Sequence, residues 1–253
     1  VLDYPKVLEV PEHTTDLEVA KRQLSEFGMT VVTDVLSSEE VKVLSDKLDR
    51  QAEAERALGD LSPVDNELPL QSLSNLVNKG QQFLNLVERQ ETEELAGFML
   101  GPNFLLSSLT GSLFRKPSLV PQPLHRDQGQ VPATADFPAA CNVFYLLDDF
   151  TAARGGTHVL PGSHRWSEEY RVTPPPREFI KEVEAPAGSV FAFDGRIWHG
   201  TGINIEGHPR RRLGAFCCLP WMRQQENWGI SCLQEVLDQA SPKLKRRLGL
   251  RTY

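Results

Sequence analysis

The first third of the chain combines one short β-rich run with long stretches in which apolar residues recur at helical spacing. Residues 29–35 (MTVVTDV) are rich in β-branched side chains and predict a strand. Ser37 and Glu40 then form a capping-box pattern, in which a serine and a glutamate three residues later cap each other. From Val41 to Leu48 the apolar residues are spaced for one face of a helix. We therefore expect a strand that leads into an amphipathic helix ending near Leu58.

Other parts of the chain also show loop and helix patterns. Residues 59–71 carry two prolines among acidic residues and predict a loop. Residues 75–99 return to helical spacing and predict one long helix, which Gly101 and Pro102 end. Residues 232–248 are again helical in spacing.

From Phe104 onward the pattern changes to short apolar segments separated by proline and glycine clusters. These segments are FLLSSLTGSLFRK (104–116), CNVFYLLDDF (141–150), GSVFAFDGRIWHG (188–200) and RRRLGAFCCLP (210–220). Several short strands without helices between them predict an antiparallel sandwich or barrel.

Composition narrows the class of protein. The chain has 253 residues, a net charge of −7, 40% hydrophobic and 24% charged residues, as expected of a soluble globular protein. No basic stretch suits a phosphate backbone, and no apolar run approaches the ~20 residues that span a bilayer, so neither nucleic acid nor a membrane is an expected partner. No signal peptide opens the chain, and its four cysteines lack C-x-x-C spacing, so we expect reduced thiols in a cytoplasmic protein. The oligomeric state is left open.

His125 and Asp127 are separated by one residue, and this spacing is the first chemical signal in the chain. On a strand, residues i and i+2 point to the same side, so this imidazole and carboxylate can bind one divalent metal. The same two residues can equally form a solvated surface ion pair, because His-x-Asp alone is a weak pattern.

A metal held by His125 and Asp127 needs a third ligand from the β region. The candidates are His158, His164, His199 and His208, with His13 remote. His199 is the best placed, because it ends an apolar strand-like segment and precedes Gly-Thr-Gly. Two histidines and one carboxylate form the facial triad of non-haem Fe(II) oxygenases, which leaves positions for O₂ and a bidentate keto acid.

Arg210 follows His199 by eleven residues and offers a cation for the far carboxylate of a keto acid. Arginine suits this task because its planar guanidinium donates two parallel hydrogen bonds to one carboxylate. Strand alternation puts Arg210 and Arg212 on one face and Arg211 on the other. The alternative is that all three are surface charges on an edge strand.

Several motifs, in this order, resemble the phytanoyl-CoA dioxygenase-like family of Fe(II)/2-oxoglutarate oxygenases. They are HRD (125–127), PGSHRW (161–166), APAGSVFAFDGRIWHGTG (185–202) and PRRR (209–212), with further similar segments from residue 27 to the C-terminus. The resemblance implies a mixed α+β, mainly β fold: a double-stranded β-helix (a jelly-roll or cupin-like core) with flanking N-terminal and C-terminal helices. The implied single dioxygenase domain spans 1–253, with a mostly helical flank and lid at 1–100, the core at 101–222 and a helical segment at 223–253.

The resemblance also implies roles for individual residues. The catalytic iron ligands would be His125, Asp127 and His199, and the contacts to 2-oxoglutarate would be Arg210, Gln122, Thr157, Lys79 and Thr201. The family's usual Glu-Glu-Asn-Gly-Ala-Thr is Ala152-Ala-Arg-Gly-Gly-Thr157 in this sequence, so that turn departs from the pattern. His164 of the PGSH motif is expected to be structural.

Substrate contacts are expected on loops around the metal site, because loops on a rigid scaffold carry specificity. The loops are 60–74, 128–137 and 221–228, and the candidate contacts are Asn75, Gln128, Trp221 and Arg223. Trp221 and Trp228 would equally suit core packing.

The sequence therefore predicts an oxidoreductase that uses Fe(II), 2-oxoglutarate and O₂. We expect it to hydroxylate an unactivated C–H bond of a small, partly apolar metabolite, with release of succinate and CO₂. The alternative is a non-catalytic cupin-like protein that binds a metal or a small molecule. A structural zinc site prefers four protein ligands, and the sequence offers no well-placed fourth.

Overall fold

The computed structural model describes residues 4–59 and 69–251. The helices are α1 (Leu17–Phe27), α2 (Ser38–Ala57), α3 (Gln81–Val87), α4 (Gln90–Leu100), α5 (Trp228–Ser231), α6 (Gln234–Gln239) and α7 (Pro242–Arg247). The strands are β1 (Met29–Val32), β2 (Leu70–Leu73), β3 (Leu105–Phe114), β4 (Ala140–Leu146), β5 (Thr157–Val159), β6 (Lys181–Val183), β7 (Val190–Asp194), β8 (His199–Thr201) and β9 (Arg210–Cys218). Short 3₁₀ helices lie at Leu76–Asn78, Ser163–Arg165, Glu168–Tyr170 and Arg177–Phe179.

The predicted capping box at the start of α2 is present. The Glu40 backbone N–H donates to the Ser37 hydroxyl at 3.2 Å, and the Ser37 backbone N–H donates to the Glu40 carboxylate at 2.9 Å. The apolar face of α2 is buried at Leu44 and Leu48. The helix ends at Ala57, so local capping and periodicity fixed both of its ends.

The prediction of one helix over residues 75–99 is wrong, because the segment divides into the 3₁₀ turn at Leu76–Asn78, α3 and α4. Gly80 has a positive φ of 137°, a backbone conformation that residues with a Cβ rarely adopt. This position therefore requires glycine and interrupts the helix. The apolar spacing persists across the break because α3 and α4 pack on the same core. The loop predicted at 59–71 gives way to β2 from Leu70, and residues 60–68 lie outside the described residues.

The strands form two antiparallel sheets. The larger has the order β1-β7-β4-β9-β3-β2, and the smaller has the order β6-β5-β8. The two sheets and their flanking helices confirm a mixed α and β fold with mostly antiparallel strands. Strand β9 lies between β4 and β3 near the middle of the larger sheet, so the alternative that Arg210–Arg212 belong to an edge strand is wrong.

Strand β4 shows how the layers are arranged, because every residue in it is buried. Cys141, Val143 and Tyr145 belong to the cluster that also contains the helices' apolar residues. Phe144 belongs to a second cluster, with residues from β5, β6 and β7. Helices therefore cover one face of the large sheet, and the opposite face turns towards the small sheet.

Two sequence expectations concern the thiols and the membrane. The four cysteines are free thiols, three of them buried. Within residues 4–59 and 69–251, no helix has the length and hydrophobicity to span a lipid bilayer.

Candidate metal centre

His125 and His199 lie opposite each other in an isolated antiparallel bridge. The His125 backbone N–H donates to the His199 carbonyl at 2.9 Å, and the reverse bond measures 3.0 Å. The centroids of the two imidazole rings are 4.3 Å apart. The backbone pairing therefore places two histidines from distant parts of the sequence side by side.

Both imidazoles are held in one tautomer by backbone carbonyls. The Nδ1 atom of His125 lies 3.0 Å from the Pro123 carbonyl oxygen, and the Nδ1 atom of His199 lies 3.1 Å from the Ile197 carbonyl oxygen. A carbonyl oxygen can only accept, so each Nδ1 carries the proton and each Nε2 presents a lone pair. This is the arrangement that metal-binding histidines usually adopt.

Asp127 completes the cluster. Its Oδ1 atom lies 3.5 Å from His125 Nε2, and its Oδ2 atom lies 3.3 Å from His199 Nε2. One ligand atom from each of the three residues lies within 4.8 Å of the other two, so the group can hold a metal ion. Two nitrogen ligands and one oxygen ligand suit Fe(II) and leave coordination positions open.

The Asp127 carboxylate is anionic at neutral pH. Burial by itself raises the pKa of Asp127, but the imidazoles of His199 and His125 beside the carboxylate outweigh it, so that the pKa lies well below its usual range. The Asn142 amide also donates to the Asp127 carboxylate, at 2.5 Å. Asn142 therefore fixes the orientation of the one acidic ligand.

The cluster opens into a cavity of about 140 Å³ between the two sheets. Its lining residues are Ser108, Thr110, Gln122, His125, Asp127, Asn142, Phe144, Thr157, His199, Gly200, Thr201, Arg210, Arg212, Phe216 and Gln225. They come from β3, β4, β5, β8, β9 and two connecting segments. The site thus exists only once both sheets have formed.

Arg210 is buried in this cavity at 1% exposure. Its guanidinium lies 3.9 Å from the ring centroid of Phe150 and donates one long hydrogen bond, 3.5 Å, to the Thr157 hydroxyl. Its Nε has no partner, and within the described residues no carboxylate lies at ion-pair distance from it. Burial lowers the pKa of Arg210 well below its ordinary value. A buried cation without an anion is costly, so the site fits the carboxylate of a ligand.

Three other predicted co-substrate residues also line the cavity. The Thr201 hydroxyl donates to the Gln122 side-chain oxygen at 3.0 Å, and Thr157 lies beside Arg210. Lys79 does not join them, because its ammonium forms a 2.5 Å ion pair with the buried carboxylate of Glu55. The expected contact of Lys79 with the co-substrate is therefore not supported by its position.

The predicted substrate contacts lie outside the cavity lining. The Gln128 amide is buried and bonded to the Phe137 carbonyl at 2.9 Å and the Ala139 N–H at 2.7 Å, so it braces a loop. Asn75 takes a left-handed conformation with φ 56° and accepts a hydrogen bond from the Asn78 amide. Neither residue lines the cavity, so the position of Asn75 and Gln128 does not support the expected substrate contacts, which stay predictions.

The two tryptophans differ in their surroundings. Trp228 is buried, and its indole N–H donates to the Leu106 carbonyl at 2.9 Å, as core packing requires. Trp221 is 61% exposed and meets Phe137 edge-on at 6.3 Å, so core packing is wrong for it. Arg223 is exposed on the same segment. Both Trp221 and Arg223 lie outside the cavity lining.

The remaining histidines are placed away from the cluster. His164 is buried, and its Nε2 donates to the Ser25 carbonyl at 3.3 Å, in keeping with the structural role expected of it. His158 pairs with Glu182 at 3.2 Å, and His208 is exposed.

Several cavity residues were missed in the sequence. Asn142 is the most informative of them, and Ser108 with Gln225 forms a 2.6 Å hydrogen bond at the cavity wall. A signal for Asn142 was available, because it is a polar residue inside the apolar run CNVFYLL, and a buried amide needs a partner. Arg212 was predicted to share a face with Arg210, but nothing local indicated a separate role.

A sequence profile described as phytanoyl-CoA dioxygenase matches residues 24–212. The chain belongs to this family. It is therefore a dioxygenase, and its family membership together with the His-Asp-His cluster indicates iron and 2-oxoglutarate as its cofactors.

Individual relatives agree with this membership. The protein named dioxygenase af480 of Aspergillus fumigatus is 29% identical over 246 residues, which cover 95% of this chain and 79% of that protein. Among solved structures, AviO1 of Streptomyces viridochromogenes has a TM-score of 0.65 at 24% identity, covering 82% of this chain and 97% of that one. HygX of Streptomyces hygroscopicus, solved with nickel and 2-oxoglutarate bound, has a TM-score of 0.64 at 15% identity, covering 81% and 88%. At these identities the two structures show a shared fold.

Proposed function

We propose that this dioxygenase depends on Fe(II) and 2-oxoglutarate and hydroxylates an unactivated C–H bond of a small, partly apolar metabolite, with release of succinate and CO₂. The observation that carries the proposal is the presence of the unpaired, buried Arg210 in the same cavity as the His-Asp-His cluster. A metal site explains the cluster, and a ligand with a second anionic end would supply the partner that Arg210 lacks.

In this proposal His125, Asp127 and His199 bind the iron and leave the remaining positions to ligands. When bound together, iron and 2-oxoglutarate activate O₂ for the oxidation of a C–H bond. Asp127 supplies the anionic ligand, and Asn142 holds its carboxylate in place. The two Nδ1–H bonds to backbone carbonyls keep both Nε2 atoms directed at the metal.

The other cavity residues position the co-substrate. Arg210 would hold the distal carboxylate of 2-oxoglutarate through its guanidinium donors, and the Thr157 hydroxyl beside it would be a further donor. Gln122 and Thr201, already hydrogen-bonded to each other, form an adjacent part of the wall. The aromatic rings of Phe114 and Phe150 flank Arg210 and keep water from its face.

We further propose that the two sheets form a double-stranded β-helix and that residues 1–253 are a single catalytic domain. The antiparallel strands on both sides of the cavity support the first part. The packing of α1 to α4 and α7 on the same sheet that carries Arg210 supports the second. A region that contributes to one core is not expected to fold alone.

The test is turnover of 2-oxoglutarate. Protein loaded anaerobically with Fe(II) is mixed with 2-oxoglutarate and a panel of small metabolites, then exposed to air, and succinate is measured. We expect succinate release that depends on both Fe(II) and 2-oxoglutarate, that Asp127→Ala abolishes, and that Arg22→Leu, at an exposed position of α1, leaves unchanged. If wild-type protein binds Fe(II) but releases no succinate with any metabolite, the non-catalytic alternative is correct.

A further inference from the structure

Arg212 is a second cation in the cavity, two residues along β9 from Arg210. Its guanidinium lies 3.8 Å from the centroid of the Phe144 ring. Stacking on an aromatic ring uses the flat face of a guanidinium, whereas its N–H donors lie in the plane. Within residues 4–59 and 69–251, no side chain forms a hydrogen bond or ion pair with Arg212. Its donors are therefore available to a ligand in the cavity.

The two arginines serve different parts of the cavity. Arg210 is stacked on Phe150, and the carboxylate that favours its charged form is Asp148. Arg212 is stacked on Phe144, and the carboxylate that favours its charged form is the metal-site Asp127. Burial lowers the pKa of Arg212 to about 10, so it stays charged at neutral pH. In the register of β4 and β9, Asn142, which donates to Asp127, lies opposite Phe216, so Arg212 is two residues nearer than Arg210 to the metal-site end of the strand pair.

Asp148 does not neutralise either of them. Its carboxylate oxygens accept hydrogen bonds from the Arg211 guanidinium at 2.8 and 3.1 Å and from the Arg211 backbone N–H at 2.7 Å. The charges of Arg210 and Arg212 also oppose each other, since Arg212 is one cause of the lowered pKa of Arg210. Arg210 is buried and Arg212 is partly exposed at the cavity, so a ligand that covers Arg212 must supply an anion to offset its charge.

A count of formal charges shows what is missing. A divalent metal, Arg210 and Arg212 bring four positive charges, and Asp127 removes one. The two carboxylates of 2-oxoglutarate remove two more, which leaves one positive charge. A neutral substrate would bury this charge without compensation, and a substrate with one negative charge would cancel it.

We propose that Arg212 binds a carboxylate of the primary substrate, so that the enzyme acts on monoanionic carboxylic acids. The inference rests on the proposed function, because it assigns Arg210 to the co-substrate. The in-plane N–H groups of Arg212 donate two parallel hydrogen bonds to the substrate carboxylate and so orient the rest of the substrate beside the metal. The hydrogen-bonded Ser108 and Gln225 form a polar wall of the same cavity.

The test measures binding near the metal, without catalysis. The full chain is loaded with Mn(II) and saturated with N-oxalylglycine, an unreactive analogue of 2-oxoglutarate. It is then titrated with pairs of a carboxylate and its amide, such as butyrate with butyramide and benzoate with benzamide. Mn(II) speeds the NMR relaxation of nearby ligand protons, so surface binding does not contribute. We expect at least one carboxylate to bind about tenfold or more tightly than its amide.

Variants assign that preference to Arg212. In Arg212→Gln the carboxylate should bind no better than the amide, while the affinity for N-oxalylglycine stays within about twofold of wild type. Arg212→Lys should keep part of the preference, because the charge remains and the two-bond fork is lost. The exposed Arg22→Leu is the control and should match wild type. Thermal denaturation of each variant verifies folding, and the wild-type comparison of acid with amide stands even if Arg212→Gln does not fold.

Two results would overturn the inference. If no carboxylate in the panel is preferred near the metal, the substrate does not bind through an anion. If Arg212→Gln weakens N-oxalylglycine as strongly as Arg210→Leu does, Arg212 serves the co-substrate. Failure of the proposed function gives a different result, since N-oxalylglycine would then not bind the Mn(II)-loaded wild type at all.

Discussion

Arg210 and Arg211 are consecutive residues of β9, yet their guanidinium groups lie in opposite environments. Arg211 forms hydrogen bonds of 2.8 and 2.9 Å to the two carboxylate oxygens of Asp49 and a further pair to Asp148. Arg210 faces the cavity and has the Thr157 hydroxyl as its polar contact. Strand alternation therefore directs Arg211 into ion pairs with Asp49 and Asp148 and directs its neighbour Arg210 into the cavity.

Arg210→Leu should raise the KM for 2-oxoglutarate about a hundredfold or more, while Fe(II) binding stays near normal. Loss of one partner of a buried charged pair costs ~3–5 kcal/mol, and every ~1.4 kcal/mol is a factor of ten. Arg210→Lys should recover part of the loss. Titration of succinate release with 2-oxoglutarate measures KM, and metal analysis measures iron content.

Arg211→Leu is the matched control for this experiment. It should leave the KM for 2-oxoglutarate unchanged and lower the melting temperature, because Asp49 and Asp148 lose their shared partner. A large KM effect in Arg211→Leu with a small one in Arg210→Leu would mean that the strand register is misassigned.

Asn142→Ala should weaken metal binding less than Asp127→Ala does. Asp127→Ala removes the anionic ligand and should abolish both iron retention and turnover. Asn142→Ala leaves the three ligands in place but frees the carboxylate, and loss of such a supporting hydrogen bond typically weakens metal affinity or activity about 10–100-fold. Calorimetric titration with Mn(II) under neutral conditions compares the two. Equal and complete loss in both would show that Asn142 is itself indispensable for metal binding.

His164→Ala should lower stability and spare the metal. The ring is buried beneath Gly28, where an added Cβ would lie 2.5 Å from His164 Nδ1, and it donates to the Ser25 carbonyl. Truncation leaves a cavity and an unpaired carbonyl, which together cost about 2–4 kcal/mol. Chemical denaturation gives the free energy of unfolding, and iron content is measured alongside. Should His164→Ala lose iron while His199→Ala keeps it, the third ligand is wrong.

His164 should also make stability depend on pH. Burial lowers the pKa of His164 below its ordinary 6.5, so the folded protein keeps the ring neutral at a pH where the unfolded chain protonates it. Because the unfolded state binds more protons in that window, stability falls as pH drops through 6.5 towards the folded pKa. The free energy of unfolding at pH 7, 6 and 5 should therefore decrease more in wild type than in His164→Gln. If the free energy of unfolding falls equally with pH in wild type and in His164→Gln, the pKa of His164 is the same in the folded and unfolded states.

The sequence by itself determined the features that depend on near neighbours. The capping box of α2 came from Ser37 and Glu40, three residues apart. The opposite directions of Arg210 and Arg211 came from the two-residue period of a strand. His125 lies in an isolated bridge and Asp127 in the turn that follows, so the strand period expected for this pair did not place them. The end of the strand-like segment 188–200 indicated His199, and the family motifs agreed. Its partner His125 lies 74 residues earlier, and the structure brings both rings within contact distance.

Only the tertiary structure decided which polar side chains remain available for ligands. The sequence predicted Lys79 and Gln128 as ligand contacts, but Lys79 forms an ion pair with Glu55 and Gln128 forms hydrogen bonds to a loop backbone. Arg212 has no such partner within the described chain. The tertiary structure also put β9 in the middle of a sheet and broke the 75–99 segment at Gly80, where φ is positive. The physical reason is that periodicity fixes the face on which a side chain lies. The partners of a buried charge come from elements tens of residues away, and local patterns do not specify them.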